Sequence, residues 1–145
     1  MKNKLLKIEE VKKKVSELKK KKLKIVHCHG VFDIVHIGHI KHLKKAKDHG
    51  DILIVTVTSD KFVNKGSNRP TFNQKKRLEF LSELESVDFV CLSNFPSATN
   101  LLKLIKPDIY VKGQDYKNSK HDKTGKINFE TQLVKKFGGK IVFTH

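Results

Sequence analysis

Tryptophan is absent from this sequence of 145 residues, and proline, cysteine and arginine occur only three, two and two times. Cys28 and Cys91 form no CxxC pair, so neither a disulfide framework nor a thiolate metal site is indicated. Both cysteines lie in apolar, strand-like segments, which favours buried free thiols. No stretch approaches the roughly 20 apolar residues of a membrane-spanning helix. Because the N-terminal segment is charged and lacks the apolar core of a secretory signal, we expect a cytoplasmic protein with no membrane partner.

Acidic residues are also in short supply, with 15 Asp and Glu against 31 Lys and Arg, which gives a net charge of +16. Nucleic-acid binding would explain such an excess, because it requires neutralisation of phosphates. Nucleic-acid interfaces depend strongly on arginine, however, and here only Arg69 and Arg77 are arginines. The lysines are spread along the whole chain, so we expect no nucleic-acid partner. The charge would still attract small anionic substrates.

The apolar residues form segments with alternating helical and strand patterns. Residues 4–20, within a leading segment 1–22, have apolar positions spaced by three or four, which predicts an amphipathic helix. Residues 51–58 are nearly all β-branched, which is typical of a strand buried on both faces. The remaining predicted strands are 23–28, 87–92, 109–111 and 141–143. The remaining predicted helices are 37–50 with a cap at Gly50, 74–84, 98–105 and 128–137. This alternation predicts one α/β domain over residues 1–145, a Rossmann-like, doubly wound parallel sheet in three α/β/α layers.

Most of the chemical information lies in residues 27–39, HCHGVFDIVHIGH. In an open parallel sheet, ligands bind beyond the carboxyl ends of the strands, and the turn at Gly30 follows the first long strand at that place. The helix that begins near Ile37 offers unpaired backbone N–H groups and the positive end of its dipole. The segment therefore predicts a site for a phosphate group.

His36 and His39 flank Gly38 in the first turn of that helix. Their spacing of three places both imidazoles on one face, and the glycine would let a phosphate chain approach the backbone. A zinc site would need a third protein ligand, for which the spacing offers no clear candidate. Two histidines that only cap the helix are the remaining alternative.

The segment HGVFDIVHIGH resembles the HxGH signature of the nucleotidyltransferase superfamily that includes the cytidylyltransferases. The phrases VTSDKFV, KGSNRP, QKKR, ESVDFV and KPDIYVKGQDYKN follow in the family's order, so the resemblance covers roughly residues 8–143. Together they look most like the adenylyltransferase domain of the ADP-heptose synthases, with the glycerol-3-phosphate cytidylyltransferases close behind. The resemblance implies transfer of a nucleoside monophosphate from ATP or CTP to a sugar phosphate or polyol phosphate, with release of pyrophosphate. It also implies Mg²⁺ bound with the triphosphate, and a homodimer in which residues 87–105 could supply the interface.

The resemblance also implies roles for individual residues. His36 and His39 would hold the triphosphate and stabilise charge on the α-phosphate, and Lys65 would be a catalytic phosphate-binding lysine, unless it is an ordinary surface lysine. The implied nucleotide-binding positions are Gly30, Val31, Phe32, Asp33, Gly38, Arg69, Arg77, Gly113, Asp115 and Tyr116. Among them, Asp33 is expected to orient the turn and Arg77 to brace the site. Tyr116 would either stack on the base or pack in the core.

The end of the sequence departs from the family pattern. In the family, the last strand leads into a serine- and threonine-rich segment and a helix that closes over the triphosphate, whereas this sequence ends at His145. We therefore expect a domain that lacks the closing segment. A catalytically weak nucleotide-binding module of a larger protein is the alternative to an active enzyme.

Overall fold

The computed structural model describes residues 3–63, 66, 68–113 and 126–144, apart from the side chains of residues 126 and 127. The strands in these ranges are β1 (Leu5–Leu6), β2 (Ile25–Gly30), β3 (Ile52–Thr58), β4 (Phe89–Ser93), β5 (Ile109–Gly113) and β6 (Lys140–Thr144). They form one sheet in the order β1-β4-β3-β2-β5-β6, and every pairing is parallel. The predicted Rossmann-like, doubly wound α/β fold is confirmed.

Helices cover both faces of this sheet. They are α1 (Ile8–Lys20), α2 (Ile37–Lys47), α3 (Gln74–Ser82), α4 (Thr99–Ile105) and α5 (Lys126–Lys136), with a 3₁₀ turn at Asp60–Phe62. The helices α2 and α3 pack on one face, and α1, α4 and α5 pack on the other, which gives the three predicted layers. Within the described ranges, every helix is too short or too polar to cross a lipid bilayer.

The central strand β3 contains the apolar residues that predicted a strand buried on both faces. Leu53 and Val55 pack with the α2 and α3 side, while Ile54 packs with α1 and α4 on the opposite side. Because side chains alternate along a strand, apolar residues at consecutive positions supply both cores at once.

The prediction of a helix over residues 4–20 is wrong at its beginning. Leu5 and Leu6 form the edge strand β1, paired with Val90 and Cys91, and the helix begins only at Ile8. Apolar spacing fits either structure here, because one turn of helix and a two-residue strand both place a leucine against the core. The sheet edge decides the outcome by supplying backbone partners.

The predicted cap at Gly50 is also corrected, since α2 ends at Lys47. A Cβ at Gly50 would lie 2.7 Å from Cγ2 of Val26 and 3.0 Å from the carbonyl oxygen of Lys24. The glycine is therefore required by the close approach of the α2–β3 connection to β2, rather than by a helix cap.

Cys28 and Cys91 are free and buried, as predicted. They lie in the cores on opposite faces of the sheet, so a disulfide between them is sterically excluded. Burial raises the pKa of each thiol to about 12. Both cysteines therefore act as small apolar core residues.

From β2, the chain first adds β3 and β4 on one side and then β5 and β6 on the other side. The point between β2 and β5 is where a ligand site is expected. The pairing of β2 with β3 continues to Gly30↔Val57, whereas its pairing with β5 is limited to Val26↔Ile109 and His27↔Tyr110. The carboxyl ends of β2 and β5 therefore border a crevice at the topological switch point, where open α/β sheets bind ligands.

Candidate active site

The N-terminus of α2 is built from the two histidines that the sequence singles out. His36 is the N-cap residue, and its Nδ1 accepts a 3.0 Å hydrogen bond from the backbone N–H of Gly38. The backbone N–H of His36 donates to Nδ1 of His39 at 3.3 Å, and the ring centroids are 4.3 Å apart. Capping uses Nδ1 of each ring, so each neutral imidazole carries its proton on Nε2. Capping the helix and donating Nε2–H to a ligand are therefore compatible roles for this α2 pair (His36 and His39).

Gly38 has a second role that the sequence did not indicate. A Cβ at this position would lie 2.6 Å from Cε1 and 2.9 Å from Nδ1 of His36. The imidazole of His36 can fold back over the helix only because this position has no side chain. Gly38 therefore fixes the α2 pair, in addition to leaving the backbone accessible.

The turn from β2 toward α2 is held in an unusual conformation. Phe32 is buried and has a φ of 52°, in the left-handed region that non-glycine residues rarely adopt. A Cβ at Gly30 would lie 3.0 Å from the Phe32 ring, and this ring packs edge-on against His39 with centroids 6.1 Å apart. Gly30 therefore leaves room for the Phe32 ring, and this ring supports His39 of the α2 pair. Val31 lies between Gly30 and Phe32 in the chain.

Asp33 links this turn to the loop before α3. Its carboxylate accepts hydrogen bonds from the backbone N–H groups of Thr71 at 2.8 Å and Phe72 at 2.9 Å, and from Nη1 of Arg69 at 3.0 Å. Burial alone would raise its pKa, but the backbone hydrogen bonds from Phe72 and Thr71, together with Arg69, outweigh burial and lower the pKa to about 2. Asp33 is thus an ionised anchor of the turn.

Arg77 lies inside the protein, with its side chain 1% exposed. Its Nη1 donates to the carbonyl oxygens of Val31 and Thr58, both at 2.7 Å. Its Nε donates to the carbonyl of Phe72 at 3.0 Å, and its Nη2 donates to Asp60 at 2.7 Å. The guanidinium therefore joins three segments: the turn after β2, the end of β3 with the 3₁₀ turn, and the loop before α3. We assign it a positioning role.

The other expected site residues divide into two groups. Arg69 is partly exposed beside Asp33. Gly113 ends β5 at the crevice, and no atom of the described residues lies within 4 Å of the place where its Cβ would be. Lys65, Asp115 and Tyr116 lie outside the described residues. The described part of the chain thus brings the turn at residues 30–33 and the α2 pair to one end of the sheet.

Sequence reasoning missed a row of polar side chains on the sheet itself. We define the histidine–threonine row as His27 and His29 of β2 with Thr56 and Thr58 of β3. Oγ1 of Thr56 lies 2.7 Å from Nε2 of His27 and 2.7 Å from Nδ1 of His29. The alternation in HCH and TVT is the signal that could have predicted it, since residues two apart in a strand share a face.

A second polar group continues this row onto β5 and α5. The Tyr110 hydroxyl donates to Oε1 of Glu130 at 2.5 Å, and Nζ of Lys112 lies 3.8 Å from the same oxygen. All three residues are buried. On the α2 side, His42 lies 2.5 Å from the Thr144 hydroxyl through Nδ1, and burial together with His39 and Lys112 lowers its pKa. A buried cation, Lys112, therefore lies at the carboxyl end of β5.

An apolar groove of about 700 Å³ adjoins the turn on its outer side. Ile34, Phe72 and Phe80 are among its lining residues and are about half exposed. Asp33 and Arg77, which anchor the turn, also line this groove.

The chemistry of the crevice suits a polyphosphate. The α2 N-terminus supplies backbone N–H groups and a positive dipole end, and the α2 pair supplies imidazole donors beside them. Such fixed donors stabilise charge that develops on a phosphorus centre. Residues that the structure describes contain no cluster of three His, Cys, Asp or Glu side chains able to hold a metal ion.

Sequence comparison relates this domain to longer proteins. Residues 27–137 match the family model described as cytidylyltransferase-like. The protein named "Bifunctional protein HldE" from Aliarcobacter butzleri is 42% identical over 135 residues, which cover 91% of this chain and 28% of that protein. The protein of the same name from a Nitratiruptor species is 46% identical over 111 residues, covering 75% and 24%. The chain thus spans about a quarter of the length of these relatives.

Structural comparison agrees. The crystal structure of a lipopolysaccharide core biosynthesis protein from Thermoplasma volcanium matches with a TM-score of 0.70 at 33% identity, covering 85% of this chain and 97% of that chain. Pantoate-beta-alanine ligase from Francisella tularensis, at 23% identity and a TM-score of 0.63, shares the fold. The resemblance to the ADP-heptose synthase group is confirmed, and the chain belongs to the cytidylyltransferase-like family of nucleotidyltransferases.

Proposed function

We propose that this domain transfers a nucleoside monophosphate from ATP or CTP to a sugar phosphate or polyol phosphate and releases pyrophosphate. The observation that carries the proposal is the α2 pair at the switch point, with both rings held by capping bonds through Nδ1. The names of the relatives, which include a lipopolysaccharide core biosynthesis protein, favour a sugar phosphate and a role in sugar nucleotide biosynthesis. We place this reaction in the cytoplasm.

The proposed reaction is an in-line displacement at the α-phosphorus. An oxygen of the acceptor phosphate forms a bond to this phosphorus while the bond to the bridging oxygen breaks, and pyrophosphate leaves with that electron pair. Nε2–H of His36 and of His39 would donate to phosphate oxygens, together with the N–H groups of the first turn of α2. Positioning and fixed positive charge account for most catalysis of this kind.

We propose Mg²⁺ as the cofactor, arriving with the triphosphate. Its chemistry would be to neutralise phosphate charge, and it would be held mainly by phosphate oxygens and water, because Mg²⁺ rarely needs a full set of protein ligands. The carboxylate of Asp33, although near the turn, is already used by Thr71, Phe72 and Arg69. We therefore assign no protein ligand to the ion.

The test is a pyrophosphate-release assay with ATP and CTP in parallel, each with a panel of sugar 1-phosphates and polyol phosphates. We expect His36→Ala and His39→Ala to lower turnover by about a hundredfold or more, because each removes a donor to the developing charge. His49→Ala is the matched control, since His49 is exposed beyond the other end of α2. Its turnover should equal that of the wild type.

The outcomes separate the candidate functions. Wild-type turnover in both His36→Ala and His39→Ala would refute the assignment of the site. Triphosphate binding without pyrophosphate release, for every acceptor in the panel, would favour a nucleotide-binding module. Release with ATP and a sugar 1-phosphate would define an adenylyltransferase, and release with CTP and a polyol phosphate a cytidylyltransferase.

We also propose a homodimer. The exposed apolar side chains of Ile34, Phe72 and Phe80 around the groove support a surface other than residues 87–105. Analytical ultracentrifugation of the wild type and of Phe80→Glu would test it. A dimer that the substitution dissociates would support the groove as the interface, and an unchanged dimer would exclude it.

A further inference from the structure

The histidine–threonine row lies on the face of the sheet opposite to α2. His27 and His29 alternate with Val26 and Cys28, and the latter two pack in the core beneath α2 and α3. His27 and Thr56 are completely buried, while His29 is only partly buried because it lies nearer the carboxyl end of β2. The row therefore runs from the interior of the sheet toward the crevice.

Hydrogen counting limits how this row can be protonated. The Thr56 hydroxyl has one hydrogen, and it lies 2.7 Å from a ring nitrogen of each histidine. It must therefore donate to one imidazole and accept from the other. Either His27 donates through Nε2–H and His29 accepts at Nδ1, or these roles are exchanged.

The other nitrogen of His27 distinguishes the two arrangements. Its Nδ1 is buried and has no hydrogen-bond partner among the residues that the structure describes. Burial, with His29 and Lys112 nearby, lowers the pKa of His27 well below its usual value, so the ring is neutral. A buried N–H without an acceptor is rarer than a buried acceptor without a donor, and the positive charge of Lys112 disfavours a hydrogen there further. His27 therefore carries its proton on Nε2.

This assignment fixes the next residue in the row. With Nε2–H of His27 donating to Thr56, the Thr56 hydroxyl donates to Nδ1 of His29, and neutral His29 carries its proton on Nε2. Nε2 of His29 lies 3.4 Å from the hydroxyl of Thr58, the last residue of β3. The donor thus lies at the carboxyl edge of the sheet, at the level where the crevice begins.

We propose that His29 is a binding residue for the acceptor phosphate, and that Thr56 and His27 position it by holding its Nε2–H tautomer. This inference rests on the proposed function. His29 belongs to the sheet face of α1, α4 and α5, whereas the α2 pair belongs to the other face, so we assign the triphosphate to the α2 pair and the acceptor to His29. Lys112 lies at the end of the neighbouring strand on the same face as His29, and its ammonium favours an anion there.

The first experiment reads the tautomer without any turnover. In protein labelled with ¹⁵N-histidine, we expect His29 to show a protonated Nε2 and an unprotonated Nδ1, and inorganic phosphate to shift its Nε2 signal. Thr56→Val keeps the side-chain shape but removes the hydroxyl, so His29 should become a mixture of tautomers. Thr56→Ser restores a hydroxyl and should restore the single tautomer. A protonated Nδ1 in the wild type, or no response to phosphate, overturns the proposal even if the enzyme is active.

The second experiment separates the two substrates. With the acceptor that supports turnover, His29→Leu and Thr56→Val should raise the acceptor KM about ten- to a hundredfold, which is the usual effect of losing a hydrogen bond to a charged group. The nucleotide KM should change less than about twofold, and Thr56→Ser should resemble the wild type. A larger effect on the nucleotide KM than on the acceptor KM overturns the proposal. His29→Leu, at a partly exposed position, keeps the test valid if Thr56→Val does not fold.

Discussion

The two sides of the crevice are constructed in opposite ways. In the α2 pair, His36 is exposed and His39 is half-buried. Both rings are held by capping bonds within one helical turn, and the His36 ring depends on the absence of a side chain at Gly38. The histidine–threonine row extends from buried positions in two adjacent strands, and its order comes from one shared hydroxyl. Exposed donors on a helix need external support to stay in place, whereas donors on a central sheet are rigid from the start. The α2 side should therefore be the more sensitive to substitutions in the residues that anchor its turn.

Arg77 gives the largest expected effect on stability and the strongest test of this difference. Arg77→Met leaves the carbonyls of Val31 and Thr58 without their donor and Asp60 without its partner. Since removing one member of a buried polar network is costly, we expect a loss of about 3 kcal/mol and a melting temperature lower by about 10 °C. Thermal unfolding followed by circular dichroism measures it.

Arg69→Met is the matched control, because Arg69 is the other arginine and its side chain is 39% exposed. It should cost about 1 kcal/mol or less. Equal melting temperatures for the two variants would show that burial of Arg77 does not stabilise the turn. In folded Arg77→Met, the ¹⁵N NMR signals of the α2 pair should shift from their wild-type positions by more than the signals of His27 do.

The sequence was informative about the α2 side because its signals are local. A strand, a glycine turn and a helix start within residues 25–39 predict a phosphate site there, and the structure brings these three elements together. The row on the sheet was missed because residues 51–58 were interpreted only as a buried strand. Its partners come from separate strands, and their distance depends on the register His27↔Ile54 and His29↔Thr56. The register between two strands depends on the whole sheet, so it cannot be predicted from the sequence of either strand alone.

Two other features were missed for the same reason. Leu5 and Leu6 were assigned to a helix because their apolar spacing continues that of the helix. Their partner strand is β4 at the edge of the sheet, which is distant in the sequence. For Arg77 the resemblance implied a bracing role, but nothing in the local sequence indicated that its side chain is buried. Its burial depends on four acceptors from distant segments, so only the tertiary structure reveals it.

Gly38→Ala tests the α2 side alone, with an effect on activity rather than on folding. The new Cβ would lie 2.6 Å from Cε1 of His36, so the ring must leave its capping position. We expect turnover to fall about tenfold or more, with a loss of stability near ~1 kcal/mol for the cap. Steady-state kinetics and urea unfolding measure the two effects.

A double-mutant cycle isolates the cause of that loss. In the His36→Ala background there is no ring for the new methyl group to displace, so Gly38→Ala should add little further loss of turnover. Full additivity of the two substitutions would mean that Gly38 acts on the phosphate directly. The ¹⁵N NMR signals of His27 and His29 in the histidine–threonine row should be unchanged in every variant of the cycle.

The smallest expected effect concerns pH and the anchor of the turn. Asp33 has a folded pKa of about 2, whereas an unfolded aspartate titrates near about 3.9. Because the folded pKa is the lower one, its ionised form stabilises the fold above about pH 4, and this stabilisation is lost as the pH falls toward about 2. Asp33→Asn should therefore be less stable than the wild type at pH 7, because its amide group opposes the N–H donors of Thr71 and Phe72. Its unfolding free energy should also vary less between pH 4 and pH 2, about the window set by these two pKa values.

Urea unfolding across this pH range measures how the unfolding free energy changes with pH, and Asp48→Asn, at an exposed position, is the control. Parallel pH curves for the wild type and Asp33→Asn would mean that the ionised carboxylate of Asp33 does not stabilise the turn.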